Sequence, residues 1–286
     1  MPSNVHPRDT PQRVTLATLR QMANRGEKIP MLTCYDATTA RWLAAGGVPA
    51  LLVGDSAAQM ILGFEQTNHA PLEFMLTITA AVRRGAPHCF LMGDMPFMSY
   101  QADDTEAIHN AGRFMVEGGA DAVKLEVNAA YADLIGKLSR AGVPTVAHIG
   151  WRPHRTQQVG VPVIAGRTDA QVQALVDLAI TMQQRGASML LIEQSTAEVA
   201  ERILEQVSIP VIGCGAGPAC HGHVVILQDW LGMTDWHPSF VTPAVAGGDW
   251  LAEHAAQWVE VVQSGQYLRD DHPYKMKPQP RTTPEA

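Results

Sequence analysis

Two carboxylates mark where this chain could do chemistry. The apolar run "ALLVGDSA" ends on Gly54, Asp55 and Ser56, and "FLMGDMP" ends in the same way on Gly93 and Asp94. Like charges brought together repel unless a cation or a proton sits between them. Oxygen donors without Cys or paired His suit Mg2+ better than Zn2+, so the repeated Gly-Asp reads as two halves of one metal site. One Asp or Ser at the end of a strand serves equally well as a helix N-cap. Five carboxylates at such ends, Asp36, Asp55, Asp94, Glu126 and Glu193, are harder to assign to capping alone.

Other side chains join this acidic rim. In "VKLEV", strand alternation puts Lys124 and Glu126 on one face and Val123, Leu125 and Val127 on the other. Lys124 either forms a plain ion pair with its acidic neighbours or holds a substrate oxygen beside the metal. His148, before Ile149 and Gly150 in "VPTVAHIG", is either a satisfied core histidine or a polar contact to substrate. Glu193 ends "MLLIE", where apolar neighbours would raise a carboxyl pKa and suit it to act as a general base. A metal with open positions and a base across from it would chelate a 2-oxo acid and remove the neighbouring proton, with Mg2+ stabilising the enolate as a Lewis acid. The turn "GCGAGP" (213–218) resembles an anion cradle but lacks the Lys-Ser/Thr of a P-loop.

These residues need a scaffold that delivers strand ends to one place. Short apolar runs "IPMLTCYD", "ALLVGDS", "CFLMGDMP", "DAVKLEV", "VPTVAHIG", "SMLLIEQ" and "IPVIGCGAG" alternate with segments of helical spacing, several of which close on Gly. With an eighth strand expected around "HPSFVTPAV" (237–245) and a final amphipathic helix "DWLAEHAAQWVEVVQSG", the pattern predicts an α/β fold, a (β/α)8 TIM barrel. "VTLATLRQMANRG" reads as an N-terminal helix capping the barrel bottom. The expected organisation is a disordered N-terminus over 1–13, one barrel domain over 14–269, and a polar, Pro-rich mobile tail over 270–286. In such a barrel the loops after the strands carry the site.

Composition narrows the class. At 286 residues, 46% hydrophobic and 17% charged, the chain can bury a large core. A formal net charge of -7 with scattered Lys and Arg argues against nucleic acid or an anionic membrane as partner. No segment approaches the roughly 20 apolar residues of a membrane span, and no apolar signal-peptide core opens the chain. The four cysteines lack a zinc pattern and read as reduced thiols, so a cytoplasmic setting is expected.

The pieces "LTCYDATTARWLAAGGVPALLVGDS", "AAVRRGAP", "GDMPFMSY", "AVKLE", "VAHIG", "LLIE" and "IPVIGCGAG", in this order, resemble the ketopantoate (3-methyl-2-oxobutanoate) hydroxymethyltransferase family, within the phosphoenolpyruvate mutase and isocitrate lyase barrel superfamily. The resemblance implies a Mg2+ site on Asp55, Asp94 and Glu126, one ion per subunit, with Glu126 acting directly or through water. It implies 2-oxo acid contacts from Asp55, Ser56, Asp94 and Lys124, with Glu193 as proton acceptor and His148 in support. The implied cosubstrate is 5,10-methylenetetrahydrofolate, the implied product 2-dehydropantoate on the route to pantothenate, and the implied assembly a homodecamer.

The chain also departs from the family pattern. "VGVPVIAGR" keeps Gly166 and Arg167 but has Pro162, Val163 and Ala165 where the family has an aromatic residue, Lys and Gln. "TNHAP" replaces Thr-Leu-Pro-Val-Thr, Thr77-Ile78 replaces Tyr-His, and Gln228-Asp229 replaces His-Asp. "HPSFVT", around Ser239, lacks the basic residues of the Pro-Lys-Phe segment. These changes are expected near the mouth and remove groups that could grip a folate tail. A diverged aldolase or C-C lyase working on another 2-oxo acid without folate is the second reading, and a noncatalytic binding barrel the third.

Overall fold

The computed structural model describes residues 12–267 together with Tyr274 and Met276. The expectations for residues 1–13 and 270–286 fall almost wholly outside these residues.

Among the described residues, parallel strands close into one barrel in the order β1 to β8, with β8 pairing back to β1. The chain enters through α1 (Leu16–Asn24), whose N-cap Thr15 accepts a hydrogen bond from the Thr18 amide. Fully buried Leu19 reaches the lower barrel interior beside Ile29, Phe90 and Met189, so α1 stoppers the end opposite the site. The first half then runs β1 (Ile29–Thr33), α2 (Ala37–Ala45), β2 (Ala50–Val53), the single-turn α3 (Ala57–Met60), α4 (Leu72–Gly85), β3 (Phe90–Asp94), α5 (Asp104–Val116) and β4 (Ala122–Glu126). The second half runs α6 (Ala132–Arg140), β5 (Thr145–Gly150), the short α7 (Thr156–Val159), α8 (Asp169–Gln184), β6 (Met189–Glu193), α9 (Ala197–Leu204), β7 (Val211–Cys214), β8 (Gly222–Val225), α10 (Leu227–Trp230) and α11 (Gly247–Gln263).

Strand alternation sorts the core into two clusters. Val123 and Leu125 of β4 pack outward with Phe114 of α5 and Ile135 of α6. Ala122, Met92, Val146 and Leu191 fill the barrel interior. Above that inner layer, Lys124 and Glu126 are directed to the mouth and remain buried. Contact between β3 and α5 is close enough that a Cβ on Gly93 would stand 2.6 Å from Phe114 Cδ1.

The eighth strand is not where the sequence pattern put it. Residues 237–245 are irregular, and Pro238, Phe240 and Val241 fold over the mouth instead. The strand that closes the barrel is "GHVV", reached from β7 by a loop with no helix. Four residues alternating between buried and exposed, with no helical pattern before them, carry too little periodicity to stand out. Closure is tight there, because a Cβ on Gly222 would meet the Ile29 carbonyl oxygen at 2.3 Å.

Candidate active site

The register of β2 to β4 brings the acidic wall together. Val53 pairs with Gly93, and Asp94 with Lys124, so each polar ending lies one strand from the next. The Asp55 amide donates to Asp94 Oδ2 at 3.0 Å, and Lys124 Nζ lies 3.0 Å from the same oxygen. Ser56 follows, its hydroxyl 2.8 Å from that of buried Tyr35.

Lys124 also reaches the neighbouring strand β5. Its Nζ donates to His148 Nδ1 at 3.2 Å, and because an ammonium only donates, the ring proton belongs on Nε2. That nitrogen lies 3.3 Å from Glu193 Oε2, within charge contact but not aligned as a hydrogen bond. Glu193 is not enclosed by apolar groups as its strand suggested. Its side chain is 24% exposed and opens into the cavity at the end of β6.

A third group, His154, has no counterpart in the sequence reading. It lies in the turn Pro153–Arg155 after β5, outside any apolar run, and is buried at 7% exposure. Its Nε2 is 3.0 Å from Asp55 Oδ2, and its backbone N-H is shared between both Glu126 oxygens at 3.2 and 3.1 Å. The available signal was position alone, in the loop following a strand whose end already carries His148. Among the described residues, Asp55, Glu126 and His154 form the grouping able to share a metal ion, with one donor atom from each all within 4.8 Å of one another. Asp94 stands beside this trio through its bond from the Asp55 amide.

The electrostatics favour a cation. Burial works against the Asp55 charge, but the His154 hydrogen bond and the Lys124 charge outweigh it and hold the carboxyl below its ordinary range. Burial, only partly offset by Lys124 and reinforced by the Asp55 charge, pushes Asp94 up to about 8. Glu126 is lifted well above its ordinary value by burial despite Lys124. Burial also opposes the Lys124 charge, yet Asp94 and Asp55 overcome it and raise its pKa. One ammonium thus faces three buried carboxyls, and burial works against the negative charge on each of them. A divalent cation supplies positive charge, so the donor set fits one.

Asp55, Asp94, Lys124 and Glu193 line a cavity of about 140 Å³ closed by Thr33, Cys214, Val225 and Phe240. A wider groove of about 650 Å³ continues outward, sharing Thr67, Glu193 and Asp229 with it and adding Glu65, Trp151, Asp235 and Trp236.

Several expected members lie elsewhere. Asp36 is exposed and caps α2, accepting from the Thr39 amide at 2.8 Å and hydroxyl at 2.6 Å. Not every departure from the family pattern is at the mouth. Thr77 bonds back to the Glu73 carbonyl on α4 and Ile78 is buried in the outer core. Pro162 and Gln228 do line the outer groove, Val163 and Ala165 belong to the same loop as Pro162, and Ser239 separates cavity-lining Pro238 from Phe240. In the "GCGAG" turn the glycines serve packing. At Gly215, φ is +68° and a Cβ would meet the Phe240 ring at 2.4 Å.

Comparison with known proteins adds a family. The profile of the family described as ketopantoate hydroxymethyltransferase matches residues 13–270. A 3-methyl-2-oxobutanoate hydroxymethyltransferase of Syntrophus aciditrophicus (strain SB) is 38% identical over 264 residues, covering 92% of this chain and 97% of its own. Solved structures share the fold. A phosphonopyruvate hydrolase in complex with oxalate and Mg++ aligns with a TM-score of 0.61 at 12% identity, over 88% of each chain. A 2,3-dimethylmalate lyase, titled a member of the PEP mutase/isocitrate lyase superfamily, aligns with a TM-score of 0.55 at 15% identity, over 93% of this chain and 92% of its own.

Proposed function

This chain belongs to the ketopantoate hydroxymethyltransferase family, and we propose that it transfers a hydroxymethyl group from 5,10-methylenetetrahydrofolate to 3-methyl-2-oxobutanoate, giving 2-dehydropantoate for pantothenate synthesis. The observation that carries this reading is the pairing of opposite walls. One small cavity has Glu193 on one side and Asp55, Asp94 and Lys124 on the other.

Asp55, Glu126 and neighbouring Asp94 would hold Mg2+, which when bound supplies a Lewis acid that stabilises negative charge on the substrate oxygens. Lys124 Nζ, fixed between Asp94 and His148, offers a further positive group to the 2-oxo acid. Glu193 takes the C3 proton, with His148 Nε2 lying 3.3 Å from its Oε2. Ser56, with its hydroxyl already turned toward Tyr35, completes the acid-binding edge. The new bond joins C3 to the donor methylene, whose two C-N bonds break; water supplies the hydroxyl, and tetrahydrofolate leaves carrying the C3 proton and the remaining water proton on the two nitrogens so freed.

NMR-monitored exchange of the C3 proton of 3-methyl-2-oxobutanoate in D2O, with Mg2+ and no folate, tests the proton step. Wild type is expected to exchange it, and Glu193→Gln to lose roughly 10²–10⁴-fold while still binding the metal. Unchanged exchange in the variant removes Glu193 from this role. Absence of exchange in the wild type removes the substrate.

One observation favours a second reading. None of the residues lining the outer groove is basic, whereas Glu65, Asp229 and Asp235 are acidic, so an anionic folate tail finds no partner there. Turnover with formaldehyde alone, unimproved by folate, would identify a folate-independent aldolase.

We also read the chain as a homo-oligomer, the decamer that the family resemblance implies, working in the cytoplasm where its four unpaired thiols stay reduced. Support for assembly comes from α11, which has no buried residue although Trp250, Leu251, Trp258, Val259 and Val262 lie along it.

A further inference from the structure

We propose that His154 is a nitrogen ligand of the cation held by Asp55 and Glu126, making this a mixed nitrogen and oxygen site that prefers first-row transition ions such as Mn2+ or Co2+ over Mg2+. The inference rests on the metal-site reading above and adds to it a donor that neither the strand-end pattern nor the family resemblance supplies.

Three observations carry it. First, His154 is placed by its backbone as well as its ring. Its N-H donates to both oxygens of Glu126, so the residue that would share the ion also fixes where the imidazole starts. Second, Nε2 lies 3.0 Å from Asp55 Oδ2, and one donor atom from each of the three residues lies within 4.8 Å of the others. Two donors across one first-row ion stand about 4 Å apart, twice a metal-ligand bond, so gathering the set asks for less than about 1 Å of movement. Third, the far side of the ring is already provided for. Nδ1 lies 3.3 Å from the Tyr100 hydroxyl, 3.3 Å from Gln101 Nε2 and 3.8 Å from Glu126 Oε2, and of these the hydroxyl and the carboxylate can accept the proton that must sit there once Nε2 is a ligand.

Tyr100 itself is locked, donating to the Glu126 carbonyl at 3.1 Å and accepting from the Glu126 amide at 3.0 Å. The ring is also bordered by Phe97 in an edge contact, with Nε2 turned to Asp55. A neutral imidazole raises affinity for Mn2+ and Co2+ relative to Mg2+, which favours an all-oxygen shell.

The test is pulsed electron paramagnetic resonance on the full-length protein loaded with Mn2+, with Mn2+ and Mg2+ affinities measured by calorimetry. Wild type is expected to show electron spin-echo modulation from a directly bound 14N nucleus, replaced by the 15N pattern in protein labelled with 15N-histidine. His154→Gln is expected to retain Mn2+ but lose the nitrogen modulation, with Mn2+ affinity falling roughly ten- to a hundredfold, at least the cost of losing an outer partner, and Mg2+ affinity falling much less. Stoichiometric Mn2+ binding without nitrogen modulation in the wild type would overturn the proposal while leaving the metal site intact, and so would modulation that survives in His154→Gln. No Mn2+ or Mg2+ binding in the wild type would overturn the metal-site reading itself. The labelling experiment uses unaltered protein, so it decides the matter even if the variant fails to fold.

Discussion

Among single residues, Asp55, Asp94, Lys124 and Glu193 line one cavity, with Glu126 and His148 packed beside them, because each closes or nearly closes an apolar run, and runs are what a sequence displays. His148 carries a consequence for stability. Burial, with the Lys124 charge beside it, pushes its pKa down to about 4 from the ordinary 6.5. The folded protein therefore binds this proton less readily than the unfolded chain. The stability gained by keeping the ring neutral is complete above about pH 6.5 and is lost as pH falls toward 4, on the order of 3 kcal/mol in all. Urea unfolding at pH 7.5 and 4.5 should show a smaller acid loss in His148→Gln than in wild type. Equal losses would mean the buried ring accepts its proton freely. Asp36 and His154 show where reading by runs stops. Asp36 lies beyond the end of β1 and its oxygens are taken by the first turn of α2, whereas His154 sits in "WRPHRT", whose place beside Asp55 is fixed only by tertiary folding.

Elements are held by contacts that side-chain size controls, and α5 offers a paired experiment. Gly93 lies under Phe114 with no room for a methyl group, whereas Gly112 on the same helix has nothing within 4 Å of an added Cβ. Gly93→Ala should destabilise by about 1–3 kcal/mol through overpacking. Gly112→Ala should stabilise by about 0.4–1 kcal/mol by restricting the unfolded chain. Chemical denaturation of both variants measures the difference, and a neutral Gly93→Ala would show that α5 can slide on β3. The helices around the barrel were legible because three- and four-residue spacing persists over many residues, as in "DAQVQALVDLAITMQQRG". Strand β8 was not legible, because its identity as the closing strand depends on pairing with Ile29 and its neighbours at the other end of the chain.

For the whole molecule, the barrel is self-contained but α11 is not. Its tether is short, with the Gly247 and Gly248 amides donating to the Leu231 and Gly232 carbonyls, after which the helix runs on with its aromatic residues uncovered. The amphipathic pattern of "DWLAEHAAQWVEVVQSG" was plain in the sequence, but a pattern names an apolar face without naming what lies against it. Light scattering should give the mass of a decamer, and Trp258→Asp should shift it toward smaller species. A monomer at working concentration would remove the assembly reading. If the face of α11 is covered only by other copies, then part of what holds each chain together is supplied by its neighbours, and dilution itself acts as a denaturant. The melting temperature should climb with protein concentration, so that how durable one molecule is depends on how many others share its solution.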